Sequence, residues 1–159
     1  GWLSHSAGTP LYWWFEFINQ ENLWPAFRAL ANYTAGEDRR RVPGQPDLTD
    51  EWPASVGWDK PDDDRLKPLI LGEGKTFYVW VYSPAEIQHL PPPEKQSVFG
   101  GAKLTIERAA AKNYDVEFWD SWTGQVTGRT TAAPDEQGRL RIELPQFKVH
   151  MALKIKAKP

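Results

Sequence analysis

Alternation of apolar and polar positions is clearest from about residue 76 onward. Thr76 to Tyr82 (TFYVWVY) sets Phe77, Val79 and Val81 on one side and Tyr78, Trp80 and Tyr82 on the other. Lys103 to Glu107 carries Leu104 and Ile106 at the same period. Tyr114, Val116 and Phe118 alternate with Asp115, Glu117 and Trp119. Asp120-Ser121-Trp122-Thr123-Gly124 then supplies a turn, because Asp and Ser bond the local backbone and Gly accepts positive φ. Val126 to Thr131 is β-prone again, which predicts a hairpin. Further on, Leu140, Ile142 and Leu144 oppose Arg139, Arg141 and Glu143. Val149, Met151, Leu153 and Ile155 oppose His150, Ala152, Lys154 and Lys156. A period of two with one polar side predicts an antiparallel sheet with one wet face. Short strands at regular turn spacing predict a β-sandwich.

The first half follows other rules. Thr9 to Ile18 (TPLYWWFEFI) is apolar on both sides apart from Glu16, so it predicts a strand covered on both faces. Asn19 to Asn22 is turn-forming. Leu23, Phe27, Leu30 and Ala31 then form one stripe of an amphipathic helix from about Leu23 to Thr34. Pro25 fits its first turn and Gly36 its C-terminal cap. Val42 to Pro68 is rich in Pro and Asp and has no period; Trp52 and Trp58 would pin it to a neighbour. Lys67 to Leu71 reads as a short strand. The expected fold is therefore mainly β: an antiparallel β-sandwich with an N-terminal strand–helix segment. Residues 1–42 form that segment, 43–75 an extended connector, and 76–159 the sandwich.

Composition narrows the function. A chain of 159 residues holds one domain, or one domain with an appendage. With 19 basic and 21 acidic residues it has no electrostatic footprint for nucleic acid or a membrane surface. Arg39-Arg40-Arg41 adjoins Glu37 and Asp38 and reads as a solvated helix exit. The absence of cysteine excludes disulfides, thiolate catalysis and zinc–sulfur sites. No apolar run reaches the length of a membrane span. The chain opens on Gly1-Trp2-Leu3 without a Met, which suggests a piece of a longer protein.

No Gly-rich phosphate loop, HExxH or GxSxG is present, and no cofactor is expected. Only His5, His89 and His150 are available for a triad, and nothing sets any of them beside a nucleophile. Asp59, Asp62, Asp63 and Asp64 lack the alternation of a calcium loop and read as an acidic turn. Glu86 and His89 lack a third metal ligand nearby. Nine Trp is the unusual figure, since Trp goes to cores, interfaces and sugar-binding surfaces. Tyr78, Trp80, Tyr82, Trp119 and Trp122 accordingly have two readings. They are a second core layer, or a platform on which a sugar stacks.

The stretch SAGTPLYWWFEFINQENLWPAFRALANYTAGED resembles the last strand and helix of a (β/α)8-barrel glycoside hydrolase. YDVEFWDSWTG, GRLRIELP and MALKIK resemble the C-terminal β-sandwich appended to such barrels, a module named for collagen binding. The two matches cover residues 4–38 and about 76–157. The resemblance implies that Trp13 or Trp14 stacks on sugar in the parent barrel, with Glu16 at the rim. The catalytic acid/base and nucleophile would come from earlier strands that this chain lacks, since a barrel needs about 250 residues. A non-catalytic accessory domain is therefore expected, with the remainder of the barrel as its partner and an extracytoplasmic setting compatible with the resemblance. The alternatives are a carbohydrate-binding module and, less favoured, a free-standing glycosidase. Unpaired edges on Thr9–Ile18 would pack onto the sandwich or pair with a second copy as a homodimer.

Overall fold

The computed structural model describes residues 15–38, 54–57 and 65–159. Thr9 to Trp14, Trp52, Trp58, the Asp59–Asp64 turn, His5 and Arg39–Arg41 lie outside them. Two helices lead: α1 (Phe15–Gln20) and α2 (Trp24–Thr34). The strands are β1 (Ala54–Gly57), β2 (Lys67–Glu73), β3 (Thr76–Tyr82), β4 (Val98–Phe99), β5 (Lys103–Ile106), β6 (Tyr114–Asp120), β7 (Gln125–Ala132), β8 (Leu140–Glu143), β9 (Phe147–Lys148) and β10 (His150–Ala157). A short helix α3 (Pro84–Gln88) follows β3.

The architecture is mostly β, with antiparallel sheets packed together and a helix at the N-terminal side. The larger sheet runs β2-β3-β10-β6-β7 and the smaller β1-β5-β8; β4 and β9 form a short ribbon. The alternation explains the packing. Phe77, Val79 and Val81 pair across β10 with Ile155, Leu153 and Met151. Those in turn adjoin Val116 and Phe118 of β6. Leu104 and Ile106 of β5, with Leu140 and Ile142 of β8, close this layer from the smaller sheet. Each such side chain, fully buried, contributes about 1.5–3 kcal/mol. Exposed pairs such as Arg129–Glu117 at 3.0 Å contribute far less, so the core and not the surface charge holds the sheets together.

Three expectations change. Phe15 to Ile18 is helical rather than strand, with Glu21 N–H donating to Phe17 O at 2.9 Å and Leu23 N–H to Ile18 O at 2.9 Å. A run apolar on both sides carries no period to separate strand from helix, and a strand there would expose unpaired backbone. The connector also contains β1, which pairs with β5, while β2 is the short strand expected at Lys67–Leu71, extended to Glu73. Four residues of β1 are too few to show a period.

The third change concerns the face expected to be wet. Helix α2 lies across the outer side of the larger sheet, and it does so on Ala29 and Tyr33, one turn apart. The predicted stripe of Leu23, Phe27 and Leu30 points the other way, into solvent. Lys154, on the outer side of β10, is only 5 % exposed. An unpaired buried ammonium would cost several kcal/mol. Glu37, just past the end of α2, removes that cost: its carboxylate lies 2.9 Å from Lys154 Nζ and 2.8 Å from Lys156 Nζ. Tyr78 O–H donates to the same carboxylate at 2.5 Å, and Tyr33 O–H donates to Leu153 O at 2.8 Å. Lys154 Nζ also sits 4.5 Å from the centre of the Trp119 ring and 5.2 Å from that of Tyr33.

The β6–β7 turn meets the helix backbone. Gly124 has φ +66°, and a Cβ there would lie 2.4 Å from Ala29 O. Gly124→Ala is expected to destabilise the domain by about 1–3 kcal/mol, read as a lower denaturant midpoint. Burial pushes the Glu37 carboxyl up, but hydrogen bonds from Lys156, Tyr78 and Lys154 outweigh it and hold it at about 2. A depressed carboxyl stabilises the fold above its unfolded value and loses that contribution as pH falls toward the folded one. Melting temperature should therefore drop between about pH 4.5 and about pH 2, and drop less steeply in Glu37→Gln.

Candidate functional site

The outer aromatics divide into two groups along the sheet. At one end Tyr78 and Trp119 lie under α2. The ring of Tyr33 meets Tyr78 edge-on at 6.5 Å and Trp119 at 5.5 Å. Trp119 Nε1 donates to Glu117 Oε2 at 3.2 Å, which fixes the indole. At the other end the helix does not reach. Tyr82 and Trp80 stack at 4.6 Å with planes 17° apart, Trp80 meets His150 at 5.7 Å, and His150 meets Trp122 at 4.4 Å. Cross-strand pairing of Tyr82 with His150 and of Trp80 with Ala152 brings these rings together.

Trp122 is placed by its turn. Asp120 Oδ1 accepts the backbone N–H of Trp122 at 2.7 Å and of Thr123 at 3.4 Å, and Gly124 N–H donates to Asp120 O at 2.8 Å. The tip is tied to α2, since Asn32 Nδ2 donates to Thr123 O at 3.5 Å. The indole is 40 % exposed. It forms one wall of an open cleft of about 740 Å³, with Trp119, Asp120, Gln146, Phe147 and His150 among the other linings. That volume lies in the range of small-ligand sites.

The floor of the cleft is shaped by a strained corner. Val149, fully buried between β9 and β10, has φ +57°, a conformation that a β-branched residue rarely adopts. Ser83 N–H holds it through Val149 O at 2.9 Å. The corner turns Phe147 and His150 toward the same cleft. Burial lowers His150 to about 4, against the opposing charge of Asp120. The ring is therefore neutral at physiological pH, and its Nδ1 is buried without a hydrogen-bond partner among the described residues.

The residues singled out by sequence fare differently. Trp119 and Trp122 reach the cleft; Trp80 and Tyr82 are half-buried in the ladder behind His150. Tyr78 is buried with its hydroxyl on Glu37, so neither ring face is free. Glu16 is exposed on α1, while Trp13 and Trp14 lie outside the described residues. The Glu86 carboxylate accepts Ser97 N–H at 3.1 and 3.3 Å rather than facing His89. No group of three metal-binding side chains occurs among the described residues. Asp120, Gln146 and His150 were not anticipated as cleft residues. Asp120 and His150 had only local signals, a turn and a polar strand position, and Gln146 had none.

No family model and no curated protein matches the sequence. Among solved structures, alpha-L-fucosidase isoenzyme 2 from Paenibacillus thiaminolyticus, a glycoside hydrolase, is similar in part. The likeness covers 70 % of this chain and 16 % of that one, at 7 % identity and a TM-score of 0.41. The chain thus matches less than a fifth of the length of that enzyme.

A lowered imidazole predicts a simple titration. The His150 ring signals should shift with a midpoint of about 4 in a proton NMR titration. Because the folded value lies below the unfolded one, His150 contributes stability above about pH 6.5 that is lost as pH falls toward about 4. Trp122→Ala uncovers the ring and should move the midpoint back up.

Proposed function

We propose that this chain is a non-catalytic accessory domain of a larger carbohydrate-active protein, docked to a neighbouring domain of the same polypeptide through the outer stripe of its helices. The observation that carries the reading is the orientation of α2. Phe17, Leu23, Trp24, Phe27 and Leu30 are 37–52 % exposed, on the side turned away from the sheet. Apolar residues at helical spacing on a solvent face mark a contact surface. The stripe exposes on the order of 400 Å², short of the roughly 800 Å² per partner of a stable two-chain interface. A covalently tethered neighbour needs less, because the tether supplies a high effective concentration. This favours a domain of the same polypeptide over a free second copy.

Support for the non-catalytic part comes from the cleft. Asp120 is the single carboxylate among its linings, and one of its oxygens already accepts two backbone N–H groups of its own turn. Acid/base glycoside hydrolysis uses two carboxylates. The carbohydrate link rests on the sequence resemblance in YDVEFWDSWTG and the segments after it.

The double substitution Phe27→Asp with Leu30→Asp is expected to leave the melting temperature within a few degrees of the parent chain, since both side chains lie off the core. It should abolish binding of an apolar dye to the isolated chain, which should sediment as a monomer. A dimer dispersed by the same substitutions would replace the tethered neighbour by a second copy. Hydrolysis of aryl glycosides by the purified chain would overturn the non-catalytic assignment.

A further inference from the structure

The cleft beside Trp122 is a separate surface from the helix stripe, and its chemistry is different. One wall is the exposed indole of Trp122, backed at an angle of 48° by the His150 ring at 4.4 Å, which lines the same cleft. Backing of this kind holds the indole in place before any ligand arrives, so little side-chain entropy is lost on binding. Gln146 lies across the backbone of Gly100, where a Cβ would come within 2.9 Å of Gln146 Cγ. Its amide has no hydrogen-bond partner among the described residues. Asp120 uses Oδ1 for its turn and keeps Oδ2 for other donors. Lys148, the cation of the lining, donates to Pro93 O at 3.1 Å.

An aromatic face beside an amide and a carboxylate oxygen matches a ligand with an apolar C–H face and a rim of hydroxyl groups. The lining carries one carboxylate and one ammonium, so it selects for neither net charge. We propose that this cleft binds a neutral saccharide, with a sugar ring stacked on Trp122 and its hydroxyls hydrogen-bonded to the Gln146 amide and to Asp120. The open form of the cleft suits a few residues of a chain rather than an engulfed monosaccharide.

Amide NMR titration of the whole chain tests this, with neutral gluco-, xylo-, manno-, galacto- and arabino-oligosaccharides, an oligogalacturonate as the charged control, and oligoproline as the peptide control. The expected result is a saturable shift with at least one neutral sugar, confined to the β6–β7 turn, Gln146 and His150. Trp122→Ala and Gln146→Ala should each weaken it, the former by about tenfold or more. Both positions are exposed, and retention of the far-ultraviolet spectrum checks that the variants fold. The double substitution on α2 should leave the sugar response intact, which separates this site from the docking surface. The proposal is overturned by silence across the neutral panel, by a response that both cleft variants preserve, or by preference for the oligogalacturonate or oligoproline.

Discussion

The burial of Lys154 is the constraint around which this domain is arranged. A lysine in the middle of the strand that joins β3 to β6 has to be neutralised; its cross-strand neighbours are Tyr78 and Glu117, and the Glu117 carboxylate is already engaged by Arg129 and the Trp119 indole. The counter-charge comes from Glu37, more than a hundred residues earlier in the chain. Glu37 reaches it because α2 crosses the sheet, with Tyr33 anchored on Leu153 O and the helix backbone seated against Gly124. The ion pair thus fixes the position of the helix, and the helix fixes which half of the aromatic face is covered. A buried pair of this kind adds little net stability over an apolar substitute, but breaking it is costly. Its effect here is on placement.

Both proposed contact surfaces follow from that placement. Seating α2 on Ala29 and Tyr33 turns Leu23, Phe27 and Leu30 outward, which creates the apolar stripe. Ending the cover at Trp119 leaves Trp122 and the His150 ladder open. One helix therefore separates a face suited to another protein domain from a cleft suited to a small polar ligand. The two surfaces differ in chemistry as well as position: aliphatic and aromatic side chains alone on the stripe, ring faces with an amide and a carboxylate in the cleft.

The sandwich was legible in the sequence because its rules are local. β3, the β6–β7 hairpin and β10 all show the period of two, and the Asp120–Gly124 turn has the residues that its backbone requires. What failed was non-local or too short. The polar side of β10 looks solvated until a helix from the other end of the chain covers it. The stripe of α2 looks like the buried side because periodicity gives a moment but not the side against which the sheet lies. Phe15 to Ile18 has no period at all, and β1 spans four residues inside a Pro- and Asp-rich segment. Of the cleft, Trp119 and Trp122 could be named from their aromatic character. Asp120, Gln146 and His150 could not, because the strained corner at Val149 and the register of β10 bring them together.

The most direct test of this account is a double-mutant cycle on Glu37 and Lys154, using Glu37→Gln and Lys154→Met in equilibrium denaturation at neutral pH. Glu37→Gln leaves the buried Lys154 uncompensated and should destabilise by about 3–5 kcal/mol, whereas Lys154→Met leaves Glu37 its pair with Lys156 and should cost less. The double variant should lose much less than the sum of the two, because the orphaned charge is gone. Additive losses would show that the two groups do not depend on each other, and would contradict a helix position set by the buried lysine.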